Sequence, residues 1–303
     1  MNTFAQDFFD FVRTISPASR LRMAPTPSGF LHLGNALNFT LNWLAANFSG
    51  GCTLEASRAK ILLRMDDLDS GRKRPEYETD IFETLNWLKL DWDSPVNQES
   101  PTNQSAILQS TRIPHYFKIL ERLRAQDLLF ACRESRRELE SFGSAYPIEL
   151  RDQNLSLDAP DVAWRIKTPP NFPLPDFIVR RRDGIPAYQV ASFADDLEFG
   201  MTHIIRGADL ADSTAAQRFL AQVLSEHKFL AINFLHHPLV LGEADEKLSK
   251  SAGSTALKTM RETGIGPEKV FQTVGQWLML EGDTGDSLLE ALHFKYVCHD
   301  ATK

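Results

Sequence analysis

Cysteine is scarce in this chain. Cys52, Cys132 and Cys298 stand far apart and are odd in number, so no disulfide framework is expected, and a reducing, cytoplasmic setting fits. Long hydrophobic runs are missing too: none approaches the ~20 apolar residues that a membrane-spanning helix needs. There is no basic excess. The formal net charge is −7, which gives no global attraction to nucleic acid, so any grip on phosphates must come from local clusters. Three are present, "GRKR" (71–74), "RESRR" (133–137) and "RRR" (180–182), and each reads equally well as a solvated turn or helix face. Internal repeats and low-complexity tracts are absent. What remains is an ordinary globular composition, 43% hydrophobic and 24% charged over 303 residues, enough for one large or two modest domains.

The first residues place Phe4, Phe8, Phe11 and Ile15 at helical spacing and carry Asp7 and Asp10 without a basic start. They read as a packed amphipathic helix rather than a signal peptide. "RLRMA" is a strand candidate ending at Pro25. Leu37, Leu41, Leu44 and Phe48 then repeat as a helix that Gly50 and Gly51 stop. "KILLRM" (60–65) reads as a buried strand and closes a βαβ unit, the building block of parallel sheets. Pro75 opens a helix with Ile81, Leu85 and Leu88 on one face, and Pro114 opens another with Phe117, Leu120 and Leu123 facing inward. Further on, "VAWRIK", "THIIRG" and "INFLHHPLVL" read as strands and "DSTAAQRFLAQVL" as a helix. The Asp-Gly pair in "DFIVRRRDGIPAYQVA" predicts a hairpin between two strands.

The stretch "RMAPTPSGFLHLGN" (22–35) is a Pro/Gly loop between the first strand and its helix. Backbone N–H groups at such a helix start face an anion, and the helix dipole assists them. Gly29 and Gly34 let the backbone approach closely. His32 can hydrogen-bond a phosphate oxygen as charge builds on it, although alone it reads equally well as a satisfied loop histidine. "KLSKS" (247–251) follows the last strand, and its two lysines can clamp a triphosphate.

In this order, "HLGN" and "KLSKS" resemble the two signatures of class I aminoacyl-tRNA synthetases. "RMAPTPSGFLHLGNALNFTLNWLAA", "LLRMDDLDSGRKRPEYETDIFETLNWLKLDWD" and "FIVRRRDGIPAYQVASFADDLEFGMTHIIRGADLADST" are similar to successive blocks of the glutamyl branch. The resemblance implies an α/β fold: a Rossmann-like parallel sheet with an inserted smaller α/β lobe and a short helical C-terminal segment. The implied organisation is an N-terminal helix at 1–19, a first catalytic half at 20–131 and an inserted lobe at 132–175. A second catalytic half follows at 176–251, then a helical segment at 252–303 in place of an anticodon-binding domain. His32, Gly34 and Asn35 would hold ATP at the helix start, and Lys247, Ser249 and Lys250 would hold its phosphates, with Mg²⁺ accompanying the nucleotide. His32, Lys247 and Lys250 would carry the catalysis. Arg22, Tyr188 and Arg206 would grip a substrate glutamate, as suits a carboxylate read by arginines and a phenol. Thr26 would line the same pocket, and Asp66 would meet the α-ammonium. Outside the resemblance, Tyr188 also reads as a core aromatic and Arg206 as a strand-end ion pair.

Two departures stand out. The branch usually has Glu where this chain has Asp66, which sets the carboxylate back by about 1.5 Å, one C–C bond. Short relatives commonly carry a zinc site from a Cys-x-Cys pair, a tyrosine and a further cysteine. Here Cys132 is kept, Glu134 replaces the second cysteine and Leu150 falls near the fourth position, so no structural zinc is expected. The length implies the short members of the branch, ligases that activate glutamate with ATP and esterify it onto queuosine in the anticodon loop of tRNA(Asp). No membrane partner is expected, and a monomer is. Alternatives are a truncated synthetase charging a 3′ end, another nucleotidyltransferase, and a non-catalytic RNA-binding paralogue.

Overall fold

The computed structural model describes residues 3–48, 58–69, 71, 73–93, 106–135, 138–139, 146–151, 153–239 and 257–300. The first half of the chain runs α1 (Thr3–Val12), β1 (Arg20–Met23), α2 (Leu33–Phe48), β2 (Lys60–Met65), α3 (Pro75–Trp87), β3 (Ile107–Leu108), α4 (Ile113–Ala125) and β4 (Leu129–Cys132). It continues with β5 (Ala163–Ile166), β6 (Ile178–Arg180), α5 (Tyr188–Glu198), β7 (His203–Gly207), α6 (Ala211–Val223), α7 (His227–Leu230) and β8 (Asn233–His237). After that come α8 (Leu257–Glu262), α9 (Glu268–Leu278) and α10 (Gly285–Asp300). Among the described residues no helix is long and apolar enough to cross a membrane.

Two compact units emerge. The first comprises Met1–Gln109, Met201–Leu210 and Ile232–Lys303. In it β1, β2 and β3 pair in parallel, with Arg22 beside Leu62 and Arg64 beside Ile107. β7 and β8 form a second parallel ladder with Arg206 beside His236. The two ladders meet at Thr202, which donates its N–H to the Arg20 carbonyl at 3.0 Å, while its hydroxyl accepts the Arg20 N–H at 2.9 Å. The strand–helix–strand expectation for "RLRMA" to "KILLRM" holds because an apolar run over α2 buries Leu37, Leu41 and Leu44 completely against this sheet. α1 buries Phe4, Phe8, Phe9 and Phe11, with Phe4 edge-on to Trp277 of α9. α3 starts at Pro75, whose missing N–H costs nothing in a first turn.

The second unit comprises Ser110–Gly200 and Ala211–Ala231. Within it β4, β5 and β6 form one antiparallel sheet. Two local expectations need correcting. On α4 the buried aromatic is Tyr116 rather than Phe117, which is half-buried. The Tyr116 hydroxyl bonds Asp195 at 2.9 Å, and Arg112 reaches the same carboxylate at 2.8 Å, so a polar aromatic suits the position. The Asp183-Gly184 turn exists, with Gly184 at φ 85°, but only one bridge, Arg180 to Pro186, continues it. The second arm is a helix: Val190 through Asp196 are all buried, so α5 is covered on every side in its middle.

Candidate active site

The loop from Met23 to Leu33 is fixed from several sides. Pro25 accepts the backbone N–H of Asp66 at 2.9 Å, which ties the end of β1 to the end of β2. His32 precedes α2, and its own N–H is accepted by Asn35 Oδ1 at 3.1 Å, while the Asn35 N–H bonds back to the His32 carbonyl at 2.9 Å. This is the reaching-back half of a capping box. The Asn35 carboxamide oxygen is thus committed to shaping the helix start. Gly34 has its own reason to be glycine: a Cβ there would lie 3.1 Å from His32 Cε1 and 3.2 Å from Nδ1. The imidazole occupies the space that any other residue would fill. Asn38, one turn along, donates to the Ile205 carbonyl at 3.2 Å, which pins α2 to β7, the strand carrying Arg206.

Arg22 and Arg206 are both buried, at 5% and 2% exposure. The Arg206 guanidinium stands 5.0 Å from the Phe234 ring centre. Its charge, together with burial, pushes the pKa of the neighbouring His236 below the ordinary histidine value, with burial the larger cause. Asp66 is buried at 8% and bound by a residue that the sequence reading missed. Arg64 donates from Nε to Oδ1 at 2.6 Å and from Nη2 to Oδ2 at 3.2 Å. Strand alternation puts residues 64 and 66 on one face, and the two bonds fix the orientation of the carboxylate. The next residue, Asp67, is bonded by Lys73 at 2.7 Å.

Thr26 lies exposed on the loop. Tyr188, the first residue of α5, belongs to the second unit and is half-buried. Lys247, Ser249 and Lys250 lie outside the described residues. Several basic side chains of the clusters that lie among the described residues are engaged within the chain. In "GRKR", Lys73 serves Asp67 and Arg74 stands 5.8 Å from the Tyr77 ring centre. In "RRR", Arg180 lies over Trp164 at 4.9 Å, Arg181 pairs with Asp183 at 2.5 Å, and Arg182 donates to the Arg133 carbonyl.

In the second unit the Cys132 thiol lies 3.1 Å from Glu134 Oε2, which also accepts the Tyr146 hydroxyl at 3.0 Å, and Gln153 donates to Oε1 at 2.6 Å. Burial works against the charge of Glu134, but the bonds from Cys132, Gln153 and Tyr146 outweigh it and hold the carboxyl down at about 2. Leu150 packs here as an apolar neighbour. One thiol, one carboxylate and one phenol already bonded to one another, with a leucine fourth, do not fit a tetrahedral structural zinc.

A parallel sheet whose first strand leads through a Gly/His loop into a helix, with buried arginines on neighbouring strands, is the frame of a class I synthetase catalytic domain. The family described as "tRNA synthetases class I (E and Q), catalytic domain" matches residues 19–149 and 148–286, and the chain belongs to it. Among its relatives is the Glutamyl-Q tRNA(Asp) synthetase of Synechococcus sp. (strain CC9605), 36% identical over 88% of this chain and 85% of the relative. The protein of the same name from Parasynechococcus marenigrum (strain WH8102) is 38% identical over 81% of this chain and 78% of the relative. In fold, the chain is similar to the glutamate tRNA ligase of Elizabethkingia meningosepticum CCUG26117, solved in complex with its amino acid, with a TM-score of 0.68 at 24% identity over 91% of this chain. The chain spans 64% of that protein's length. The mixed α/β class expected from the sequence is therefore the one found.

Proposed function

We propose that this chain activates glutamate with ATP and transfers it to queuosine in the anticodon loop of tRNA(Asp). The family makes it a ligase acting on tRNA that uses ATP. The observation supporting the finer reading is that relatives named Glutamyl-Q tRNA(Asp) synthetase match 81–88% of the chain at 36–38% identity.

In this reading ATP seats its phosphates against the start of α2, where His32 and the first-turn amides receive negative charge. Lys247 and Lys250, with Ser249, complete the phosphate grip. Arg22, Tyr188 and Arg206 hold the glutamate, Thr26 borders it, and Asp66 receives its ammonium. Mg²⁺ enters with the nucleotide. An α-carboxylate oxygen attacks the α-phosphorus in line, and the bond to the bridging oxygen breaks. Pyrophosphate leaves with that electron pair, and glutamyl-adenylate forms. A hydroxyl of the tRNA then attacks the mixed anhydride, releasing AMP and its own proton. No protein nucleophile is required; the chain supplies position and charge. The chain acts as a cytoplasmic monomer.

The test has two parts. Pyrophosphate exchange with a panel of acids, with and without tRNA, should respond to glutamate. Radiolabelled glutamate should then charge tRNA only when queuosine is present. Periodate-sensitive label on the terminal adenosine of unmodified tRNA(Glu) would instead identify a synthetase that charges a 3′ end. No exchange with glutamate, alongside retained tRNA binding, would identify an RNA-binding paralogue.

A further inference from the structure

Asp80 is an acidic side chain buried at 2% exposure on α3, and none of the roles above uses it. Its two oxygens are divided between two elements. Oδ2 accepts the backbone N–H of Leu31, the residue before His32, at 2.9 Å. Oδ1 accepts Arg261 Nη2 of α8 at 2.8 Å. Arg261 also reaches Glu83 Oε2 at 2.9 Å and the Thr84 hydroxyl. The other side of the Leu31 peptide is held as well, since Leu257, the first residue of α8, donates its N–H to the Leu31 carbonyl at 3.1 Å. Next to this clamp Lys258 lies 4.4 Å over the Phe30 ring, and Phe30 meets Tyr77 of α3 edge-on at 5.0 Å. The loop before His32, α3 and α8 are thus braced against one another, with one carboxylate at the centre.

We infer that Asp80 is a positioning residue for the ATP seat. It fixes the N–H of Leu31, the residue before His32, and holds α8 to the same loop, an inference that rests on the function proposed above. A backbone N–H and a guanidinium are both donors, and only a carboxylate can accept from both without offering a proton of its own. Asn at this position keeps one acceptor for Leu31 but turns an amide donor toward Arg261, so the loop bond survives and the α8 bond is lost. Ala loses both. The loss should fall on ATP, because Leu31 adjoins His32, whereas of the proposed glutamate contacts Asp66 is bonded by Arg64 and Arg22 and Arg206 are carried by β1 and β7.

The experiment compares Asp80→Asn, Asp80→Ala, Arg261→Gln, Arg261→Lys and the double variant Asp80→Asn/Arg261→Gln in glutamate-dependent pyrophosphate exchange. Asp80→Asn and Arg261→Gln should each lower kcat/KM for ATP about ten- to a hundredfold, the range of a charge-assisted hydrogen bond, with KM for glutamate within about twofold. The double variant should be no worse than either single, and Arg261→Lys should recover part of the loss. Equal losses for ATP and glutamate, or additive losses in the double variant, would overturn the inference. Amide hydrogen exchange gives a second readout that needs no activity: Asp80→Asn and Arg261→Gln should both lower the protection of residues 31–36. If the wild type exchanges no pyrophosphate with glutamate, the functional reading fails, and the amide experiment alone decides the brace. Unchanged protection in both variants would sink it.

Discussion

The Arg64–Asp66 pair offers the sharpest test of how the site is built. Both side chains are nearly sealed from water, at 2% and 7%, and their closest contact is 2.6 Å. Consider Arg64→Leu. The substitution removes the two bonds that Arg64 makes to the buried Asp66 carboxylate. Taking one partner from a buried pair costs about 3–5 kcal/mol, most of it the desolvation of the charge left behind. Asp66→Leu takes the same two bonds from the buried guanidinium and should cost a similar amount. The double variant Arg64→Leu/Asp66→Leu removes both charges, and apolar groups in place of a buried pair are often neutral. It should recover most of the lost stability, within about 1–2 kcal/mol of wild type, yet, in the proposed reading where Asp66 receives the ammonium, remain unable to activate glutamate. The assay is urea unfolding followed by tryptophan fluorescence. Trp43, Trp87, Trp92 and Trp277 lie in the first unit and Trp164 in the second, so a Trp164→Phe background reports on the first unit alone and keeps the transition interpretable. Single losses under about 1 kcal/mol, or a double variant as unstable as the sum of the singles, would refute the pairing argument.

Three further outcomes are expected. Arg206→Ala should reduce glutamate-dependent exchange about a hundredfold or more, as expected for a missing arginine partner to a buried carboxylate, while calorimetry shows ATP binding retained; near-normal glutamate kinetics would remove Arg206 from the pocket. Gly34→Ala pushes on the His32 ring, 3.1 Å from the new Cβ, and should raise KM for ATP about three- to tenfold with little change in the unfolding midpoint; unchanged ATP kinetics would mean the ring position is immaterial. His203 is held neutral by burial, its pKa lowered from 6.5 to about 4. Between those values the unfolded chain takes up a proton that the folded chain refuses, so stability is full above pH 6.5 and falls by up to about 3 kcal/mol as the pH drops to 4. His203→Gln should flatten that slope, and a slope identical to wild type would assign the acid sensitivity elsewhere.

The parts of the fold that were legible in the sequence are those with a period. The apolar repeat of α2 and the buried runs of β1 and β2 announce the βαβ unit, and Pro75 marks the start of α3. The residues that hold the site together were harder to see, because they sit inside those same apolar patterns. Arg64 lies within "KILLRM", which reads as a buried run with one odd member. Its purpose appears only when the two-residue alternation is carried past the end of the strand to Asp66. Asp80 likewise sits beside Ile81 and four residues before Thr84, on the buried face of α3, and a sequence pattern cannot say which donors a buried carboxylate will meet. The Asp-Gly turn was legible as a turn. What followed it was not, since "AYQVASFADD" carries both a strand-like start and a helical period, and burial decided for the helix.

Cys132, Glu134 and Tyr146 show how a charge can take over a bracing task within the second unit. A structural metal gathers its ligands because each is drawn to one cation. Here the shared centre is an anion. Glu134 gathers a thiol, a phenol and a carboxamide as donors to a single carboxylate. Arg165 closes the cluster from the other side, with Nε 3.4 Å from the Cys132 sulfur and its guanidinium 4.6 Å from the Tyr146 ring centre. The cation of this cluster is therefore part of a strand, β5, that the antiparallel register already places opposite β4: Arg165 pairs with Phe130 and Ala163 with Cys132. Charge-assisted bonds of this kind are stronger than neutral ones, and they need no ligand to be present when the segment folds.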